Sequence, residues 1–330
     1  MPLAAPFKVA AVQAAPVFLD LEASLDKACR LIAEAGGQGA RLIVFPEAFL
    51  SGYPDWVWTL PPRERAAIDA LYAELLESAV VVPGPATERL GRAAREAGAW
   101  VVIGASERNV EASGASVYNA LLFFDEQGRL AGKHRKLVPT GGERLMWAQG
   151  DGSTLRVYDT PFGRLGGLIC WENYMPLARY AMYAWGAQIL AAATWDHGEP
   201  WLSTLRHIGK EGRLFVIGCC QALRRDAIPE RYEFKRHYPA ERTWINPGES
   251  AIADPDGKLI AGPLREQEGI LYAEIDPKRL TGPKWMLDVA GHYARPDVFE
   301  FAVRRVPRSL VGTPSAEPAA TPAGHAGGQP

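Results

Sequence analysis

Residues 165–177 read LGGLICWENYMPL, an apolar run that ends at a cysteine and is followed by polar residues and a proline. The run predicts a buried strand over 165–170, closed by Cys170. Pro176 is suited to the first turn of a helix, and the pattern beyond it predicts a helix over about 176–186. A reactive side chain therefore lies where a strand passes into a helix, which is where α/β proteins place functional groups.

The alternation of strand and helix patterns extends over most of the chain. Further strands are predicted at about 7–14, 41–45, 100–107, 117–125, 187–193, 214–220, 249–254, 258–263 and 269–275. Further helices are predicted from an Asp20 cap to the Gly36-Gly37 pair, and at about 62–79, 86–98 and 200–213. The last strands cluster, with Asp256-Gly257 suited to a hairpin turn. The pattern predicts an α/β fold with layers and mixed sheets rather than an all-β fold or a helix bundle.

Composition limits the classes of protein to consider. The 330 residues include 38 acidic and 36 basic residues, and 48% are hydrophobic. That share of hydrophobic residues excludes wholesale disorder, and the charge balance gives no basic field, so we expect no nucleic acid partner. No apolar run reaches the ~18 residues of a membrane-spanning helix, and the N-terminus lacks signal-peptide features. We therefore expect a cytoplasmic protein that does not contact membranes.

The chain shows no break in composition over residues 1–305, which predicts one domain there. Residues 306–330 are rich in Pro, Ala and Gly, and we expect a disordered tail because such a segment buries little. The four cysteines form no CxxC pair, which argues against a zinc ribbon or a redox dithiol. The six histidines are scattered, so we predict no metal site.

Reactive residues follow apolar strands at three places. Glu47 comes just after the predicted strand 41–45, and Cys170 closes the strand 165–170. Lys136 and Glu143 lie within KHRKLVPTGGERLMWAQGDG, residues 133–152. A helix that begins beside Cys170 would lower the thiol pKa and favour the thiolate. Each residue also has an ordinary structural interpretation, since a cysteine ending a strand is usually a small buried hydrophobe.

The other three residues have structural alternatives of the same kind. Glu47 could simply cap a strand or pair with an arginine. The cluster Lys133–Lys136 is typical of a solvent-exposed face, and Glu143 could be a surface carboxylate after the Gly141-Gly142 turn. What favours a functional interpretation is that all four residues occur together in these sequence contexts.

The three segments resemble those of the nitrilase superfamily, whose members carry a Glu-Lys-Cys set and a second Glu. FPEAFLSGYP, HRKLVPT, GGERLMW and CWENYMPL match its motifs in turn, and GHYARPD resembles the nitrilase branch specifically. The resemblance covers about residues 7–303. It implies a four-layer α-β-β-α sandwich that pairs into homodimers or larger homo-oligomers.

The resemblance also implies roles for the matched residues. Glu47 would be the general base, Lys136 the stabilising charge, Glu143 the second glutamate and Cys170 the nucleophile. The implied reaction converts a small organic nitrile to a carboxylic acid and ammonia through a thioimidate and an acyl-enzyme, with no cofactor. The expected substrate-binding residues are Tyr53, Trp171, Thr194 and Trp195, while Trp56 and Trp58 could line the entrance or pack in the core.

Other functions remain open from the sequence. The same residues would serve an amidase or N-carbamoyl amidohydrolase of the superfamily. Hydration of a nitrile to an amide and the use of cyanide as substrate are further alternatives on the same cysteine. A Cys-His hydrolase would need a histidine partner, and the histidines lie in no recognisable motif. A non-catalytic assembly protein could keep the fold, but here all four reactive positions are filled.

Overall fold

The computed structural model describes residues 5–308. Its helices and strands are β1 (Phe7–Gln13), α1 (Leu21–Gly37), β2 (Ala40–Val44), α2 (Arg65–Glu77), α3 (Pro85–Ala97), β3 (Trp100–Arg108), β4 (Val117–Phe124), β5 (Leu130–Arg135), β6 (Tyr158–Thr160), β7 (Gly163–Ile169), α4 (Pro176–Ala184), β8 (Ile189–Thr194), α5 (Glu199–Gly212), β9 (Phe215–Cys220), β10 (Ala222–Arg224), β11 (Trp244–Ala253), β12 (Leu259–Arg265) and β13 (Gly269–Ile275).

The strands form two mixed sheets. The first has the order β13-β1-β2-β3-β4-β5, and the second has the order β10-β11-β9-β8-β7-β6, with β12 paired to β11. In the first sheet β1, β2 and β3 run parallel, and in the second β7, β8 and β9 do so. The remaining pairs are antiparallel. Each sheet thus has a parallel centre, whose strands need apolar residues on both faces.

Side chains of the central strands divide between an inner and an outer core. In β2, Leu42 and Val44 pack in the core between the two sheets, whereas Ile43 packs against α1 and α3. In β8, Ile189 faces the same inner core and Leu190 packs against α4 and α5. Each sheet is therefore covered by helices on its outer face. The prediction of a four-layer α-β-β-α sandwich is confirmed.

The predicted strands need correction: β5 and the three-residue strands β6 and β10 were not expected, and β11 begins earlier than predicted. Strand β5, Leu130–Arg135, was not expected, because the basic residues at its end indicated an exposed face. In fact His134 and Lys136 are buried while Lys133 and Arg135 pair with Glu107, since alternate residues of a strand point to opposite sides. Strand β11 also begins at Trp244, five residues before the predicted start at 249.

Two findings concern the chain as a whole. Among residues 5–308 no helix combines the length and apolarity that a membrane crossing requires. Of the tail predicted at 306–330, the part from residue 309 onward lies outside the described residues.

Candidate active site

A buried lysine lies between two carboxylates at the end of β5. Lys136 Nζ donates to Glu47 Oε1 and to Glu143 Oε2, both at 2.7 Å. All three side chains are essentially inaccessible to solvent. Burial opposes the charged form of the lysine, but Glu47, Cys170 and Glu143 together raise the pKa of Lys136. The lysine therefore remains an ammonium between the two carboxyl groups.

Glu47 lies three residues beyond β2 and is held at both carboxylate oxygens. Asn119 Nδ2 donates to Oε1 at 2.6 Å, and the backbone N–H of Trp195 donates to Oε2 at 2.8 Å. The Gln221 amide donates to the Glu47 carbonyl at 2.6 Å, which fixes the backbone as well. Burial raises the pKa of Glu47, and the neighbouring Glu143 adds to the increase. A raised pKa makes the carboxylate a better proton acceptor.

Glu143 lies on a short 3₁₀ helix, Gly141–Leu145, that turns the chain back toward the lysine. Its Oε2 also accepts the Thr140 N–H at 2.8 Å, and its Oε1 accepts the Tyr53 hydroxyl at 2.8 Å. The turn depends on Gly141, which has a φ of +50° and no room for a Cβ beside Trp58. Glu143 is therefore a buried partner of Lys136 and not the surface carboxylate that was considered as an alternative.

Cys170 is the first residue after β7 and begins the short 3₁₀ helix Cys170–Tyr174. Its φ of +50° is the left-handed conformation, which is rare for a residue with a side chain and is found at functional sites. The expected lowering of the thiol pKa by a helix N-terminus is wrong. Burial raises the pKa of Cys170, and Glu47 raises it further, while Lys136 opposes the increase. The resting thiol therefore keeps its proton and needs a base to become a nucleophile.

Aromatic side chains border the charged groups. The Tyr53 and Trp195 rings stack with centroids 4.4 Å apart and planes 6° from parallel. Trp171 is half exposed, and its indole N–H donates to Asp196 Oδ2 at 3.0 Å. Thr194 is buried and follows Ala193, the residue paired with Ile169, so it lies beside Cys170, and its hydroxyl accepts the Asp196 N–H at 2.7 Å. The structure thus brings Tyr53, Thr194 and Trp195 to the four charged or reactive residues, with Trp171 on the open side.

The two tryptophans that could line the entrance or pack in the core differ. Trp58 is 51% exposed and donates its indole N–H to the Tyr53 hydroxyl at 3.2 Å, so it reaches the site. Trp56 is fully buried and packs against Phe18 and Phe234. Trp56 is therefore a core residue.

Sequence reasoning missed several residues that hold the site together. Asn119 and Gln221 were not singled out, because a lone polar residue in an apolar strand carries no sign of its partner. His134 and Glu172 form a buried pair, with His134 Nε2 3.0 Å from Glu172 Oε2. The other ring nitrogen, His134 Nδ1, lies 3.5 Å from Thr154 Oγ1, so both nitrogens contact groups other than the Cys170 thiol, which argues against a Cys-His pair with His134. Within residues 5–308 no group of three or more His, Cys, Asp or Glu side chains is arranged to hold a metal ion.

Comparison with known proteins identifies the family of this chain. Residues 8–282 match the family model described as carbon-nitrogen hydrolase. An aliphatic nitrilase of Sinorhizobium fredii (strain HH103) is 44% identical over 313 residues, covering 93% of this chain and 98% of that protein. A bifunctional nitrilase/nitrile hydratase of Nicotiana tabacum is 42% identical over 298 residues, covering 89% and 84% respectively.

A solved structure supports the fold independently. Nit3 of Saccharomyces cerevisiae, a member of branch 10 of the nitrilase superfamily, has a TM-score of 0.70 to this chain. The match covers 88% of this chain and 97% of that one at 22% identity. The matched family model, the sequence relatives and the four-layer fold agree, and the chain therefore belongs to the carbon-nitrogen hydrolase family, within its nitrilase branch.

Proposed function

We propose that this protein is a nitrilase that hydrolyses an organic nitrile to a carboxylic acid and ammonia, with Cys170 as the covalent nucleophile. The observation that carries the proposal is the Lys136 ammonium held between Glu47 and Glu143 at 2.7 Å from each. A nitrile carbon is a weak electrophile, so its attack needs a base for the thiol and a fixed positive charge nearby.

The first half of the reaction forms the covalent bond. Glu47 accepts the Cys170 proton, and the sulfur attacks the nitrile carbon. The electron pair of the C≡N bond that opens moves to nitrogen, which takes the proton back from Glu47 to give a thioimidate and leaves Glu47 as a carboxylate. Lys136 stabilises the negative charge that develops, and such a preorganised donor is worth ~3–4 kcal/mol in hydrolases. Glu143 holds the ammonium in place.

The second half releases two products with two waters. A first water adds to the thioimidate carbon, and the resulting tetrahedral intermediate expels ammonia to leave a thioester. A second water hydrolyses the thioester, which releases the carboxylic acid and returns the thiol. The Glu47 carboxyl group can take the proton from each water and pass it to the leaving group, because burial raises its pKa toward the working range.

Tyr53, Trp171, Thr194 and Trp195 form the proposed substrate site, beside the thiol. The stacked Tyr53 and Trp195 rings present aromatic surface there, which favours an aryl or arylaliphatic nitrile. A single domain over residues 1–305, assembly into a homodimer or larger homo-oligomer and a cytoplasmic location remain predictions.

A second candidate product is the amide. It would arise if the tetrahedral intermediate expelled the Cys170 sulfur instead of ammonia. The tobacco relative is named for both activities, which makes the amide a specific alternative for this chain. The ratio of acid to amide depends on whether the amino nitrogen or the Cys170 sulfur receives a proton as it leaves the tetrahedral intermediate.

The test is a panel of aryl, arylaliphatic and aliphatic nitriles, each paired with its amide. We expect ammonia and acid to form at a 1:1 ratio from at least one nitrile, with far slower release from the matching amide. Faster turnover of the amides would instead identify an amidase. Amide accumulation without ammonia would identify a hydratase. The Cys170→Ala protein is the control for contaminating activity.

A further inference from the structure

The carboxylate of Glu172 joins the two chain segments that carry the nucleophile and the ammonium. Glu172 is buried two residues after Cys170. Its Oε1 accepts the backbone N–H of Leu137 at 2.6 Å, and its Oε2 accepts that of Ile169 at 2.8 Å. Leu137 directly follows Lys136, and Ile169 directly precedes Cys170. One side chain thus bonds to the residue that follows the lysine and to the residue that precedes the cysteine.

His134 completes this link from the strand that carries the lysine. Its Nε2 lies 3.1 Å from Oε1 and 3.0 Å from Oε2 of Glu172, so it contacts both carboxylate oxygens. Burial opposes the ionised form of Glu172, but His134 and the two backbone N–H groups lower its pKa. The ionised carboxylate only accepts hydrogen bonds, so Nε2 is the donor in this pair.

The link through Glu172 matters because Lys136 and Cys170 come from different sheets. Lys136 follows β5 of the first sheet, and Cys170 follows β7 of the second. The hydrophobic contacts that hold packed sheets together are themselves non-directional. The Glu172 bonds to Leu137 and Ile169 are directional and span that interface, so they fix the register of the two strand ends.

The strained backbone of Cys170 needs such support. Its φ of +50° persists only where the surroundings hold it. The Ile169 N–H bond to Glu172 restrains the residue on one side, and Asn173 Nδ2 donates to the Cys170 carbonyl at 2.8 Å on the other.

We infer that Glu172 is a positioning residue, and that with His134 it sets the position of the Cys170 sulfur relative to the Lys136 ammonium. The inference rests on the proposed roles of Cys170 and Lys136. Glu172 is buried in contact with backbone and His134, so it acts through its neighbours and leaves substrate binding unchanged.

Glu172→Gln tests the inference at constant shape. The amide NH₂ must face either the Leu137 or the Ile169 N–H, so one donor loses its acceptor. Misplacement of a reacting group by about 1 Å can cost ~100-fold in rate, so we expect kcat to fall by about that factor. KM should change by less than about threefold, because displacement of the reacting groups leaves the substrate contacts in place.

The His134 variants provide a rescue experiment. His134→Leu removes the donor to Glu172, whereas His134→Gln keeps an N–H donor at a similar distance from the backbone. We expect His134→Gln to recover most of the kcat that His134→Leu loses. Equal loss in both variants, or no loss in either, would contradict a role for the pair.

Asp254→Asn is the matched control for a purely structural effect. Asp254 is also buried, and it accepts two backbone N–H groups, from Asp256 and Lys258, and one basic side chain, from Arg279. Asp254 follows Ala253, which pairs with Val216 near the start of β9. The site lies at the other end of β9, where Cys220 pairs with Thr194. Asp254→Asn should lose stability in urea and keep its kcat.

A chemical readout separates this inference from the proposed function. Alkylation of Cys170 by iodoacetamide, followed by peptide mass spectrometry, needs no substrate, and the partly exposed Cys29 serves as internal reference. We expect Cys170 to react about tenfold more slowly in Glu172→Gln while Cys29 is unchanged. If Glu172→Gln loses stability like Asp254→Asn but keeps wild-type kcat and alkylation, the inference is wrong. If the wild type hydrolyses no nitrile or amide, the proposed function fails and the alkylation rates still decide the positioning role.

Discussion

Replacement of Lys136 by methionine should remove catalysis and, separately, destabilise the fold. Methionine keeps most of the apolar stem but leaves Glu47 and Glu143 as buried carboxylates with no cation between them. Removal of one partner from a buried ion pair typically costs ~3–5 kcal/mol of stability. Loss of a preorganised donor costs ~100–1000-fold in kcat. The sequence alone gave no reason to expect a change in stability, because it did not place the lysine in a buried cluster.

The stability deficit should depend on pH. Burial raises the pKa of Glu47 in the folded wild type above the ordinary carboxyl value of about 4.3, and removal of Lys136 raises it further. A carboxyl group whose folded pKa exceeds its unfolded pKa favours folding when protonated. Its contribution is therefore lost as the pH rises from the unfolded pKa through the folded pKa. The deficit of Lys136→Met relative to wild type should be large near pH ~8 and should shrink toward pH ~5.

A double variant separates the two effects. Lys136→Met/Glu143→Gln leaves Glu47 as the single carboxyl group of the cluster, so it should regain much of the lost stability. It should stay at least ~100-fold below wild type in ammonia release, because the stabilising cation is still absent. Urea unfolding at several pH values measures the stability, and nitrile turnover at saturating substrate measures kcat.

Two results would refute this reasoning. Turnover of Lys136→Met within about tenfold of wild type would mean that the ammonium does not stabilise the intermediate. A free energy of unfolding equal to that of wild type at all pH values would mean that Glu47 and Glu143 do not share a buried cation.

Three further predictions test single residues. Cys170→Ser should fold normally, as judged by its unfolding midpoint, and show no turnover, because a serine hydroxyl has no comparable anionic fraction; measurable ammonia release would count against the nucleophile assignment. Glu143→Gln should stay folded and lose about 10–100-fold in kcat, the usual loss for a hydrogen bond to a charged group; a wild-type rate would limit the site to three residues. Trp56→Ala should lower the free energy of unfolding in urea by ~3–5 kcal/mol. Trp58→Ala should lower it by less than about 1 kcal/mol and should reduce kcat/KM. A larger loss of stability in Trp58→Ala than in Trp56→Ala would contradict the difference in burial.

The sequence predicted the parts of the site that follow apolar strands. Glu47 and Cys170 stand out because each lies within three residues of the end of a buried strand, and the apolar runs of β2 and β7 are strong local signals. The four-layer sandwich followed from the resemblance of the motifs, since periodicity alone does not determine how two sheets pack.

What the sequence could not provide depends on contacts between distant residues. Lys136 looked like part of an exposed basic cluster, because its two carboxylates lie 89 and 7 residues away. The Trp195 backbone N–H that holds Glu47 comes from 148 residues further along the chain, and a backbone group leaves no mark in the sequence. The raised pKa of Cys170 follows from its burial and from the neighbouring Glu47, and the local sequence pattern around the cysteine does not reveal either.

The most direct test of the central claim is the site of the covalent adduct. The protein is mixed with a nitrile that it turns over, quenched in acid within the first turnovers, digested and analysed by mass spectrometry. We predict a thioimidate or acyl adduct on the peptide that contains Cys170, and its absence in Cys170→Ala. An adduct on Cys219 or Cys220, or ammonia release by Cys170→Ala at the wild-type rate, would contradict the account.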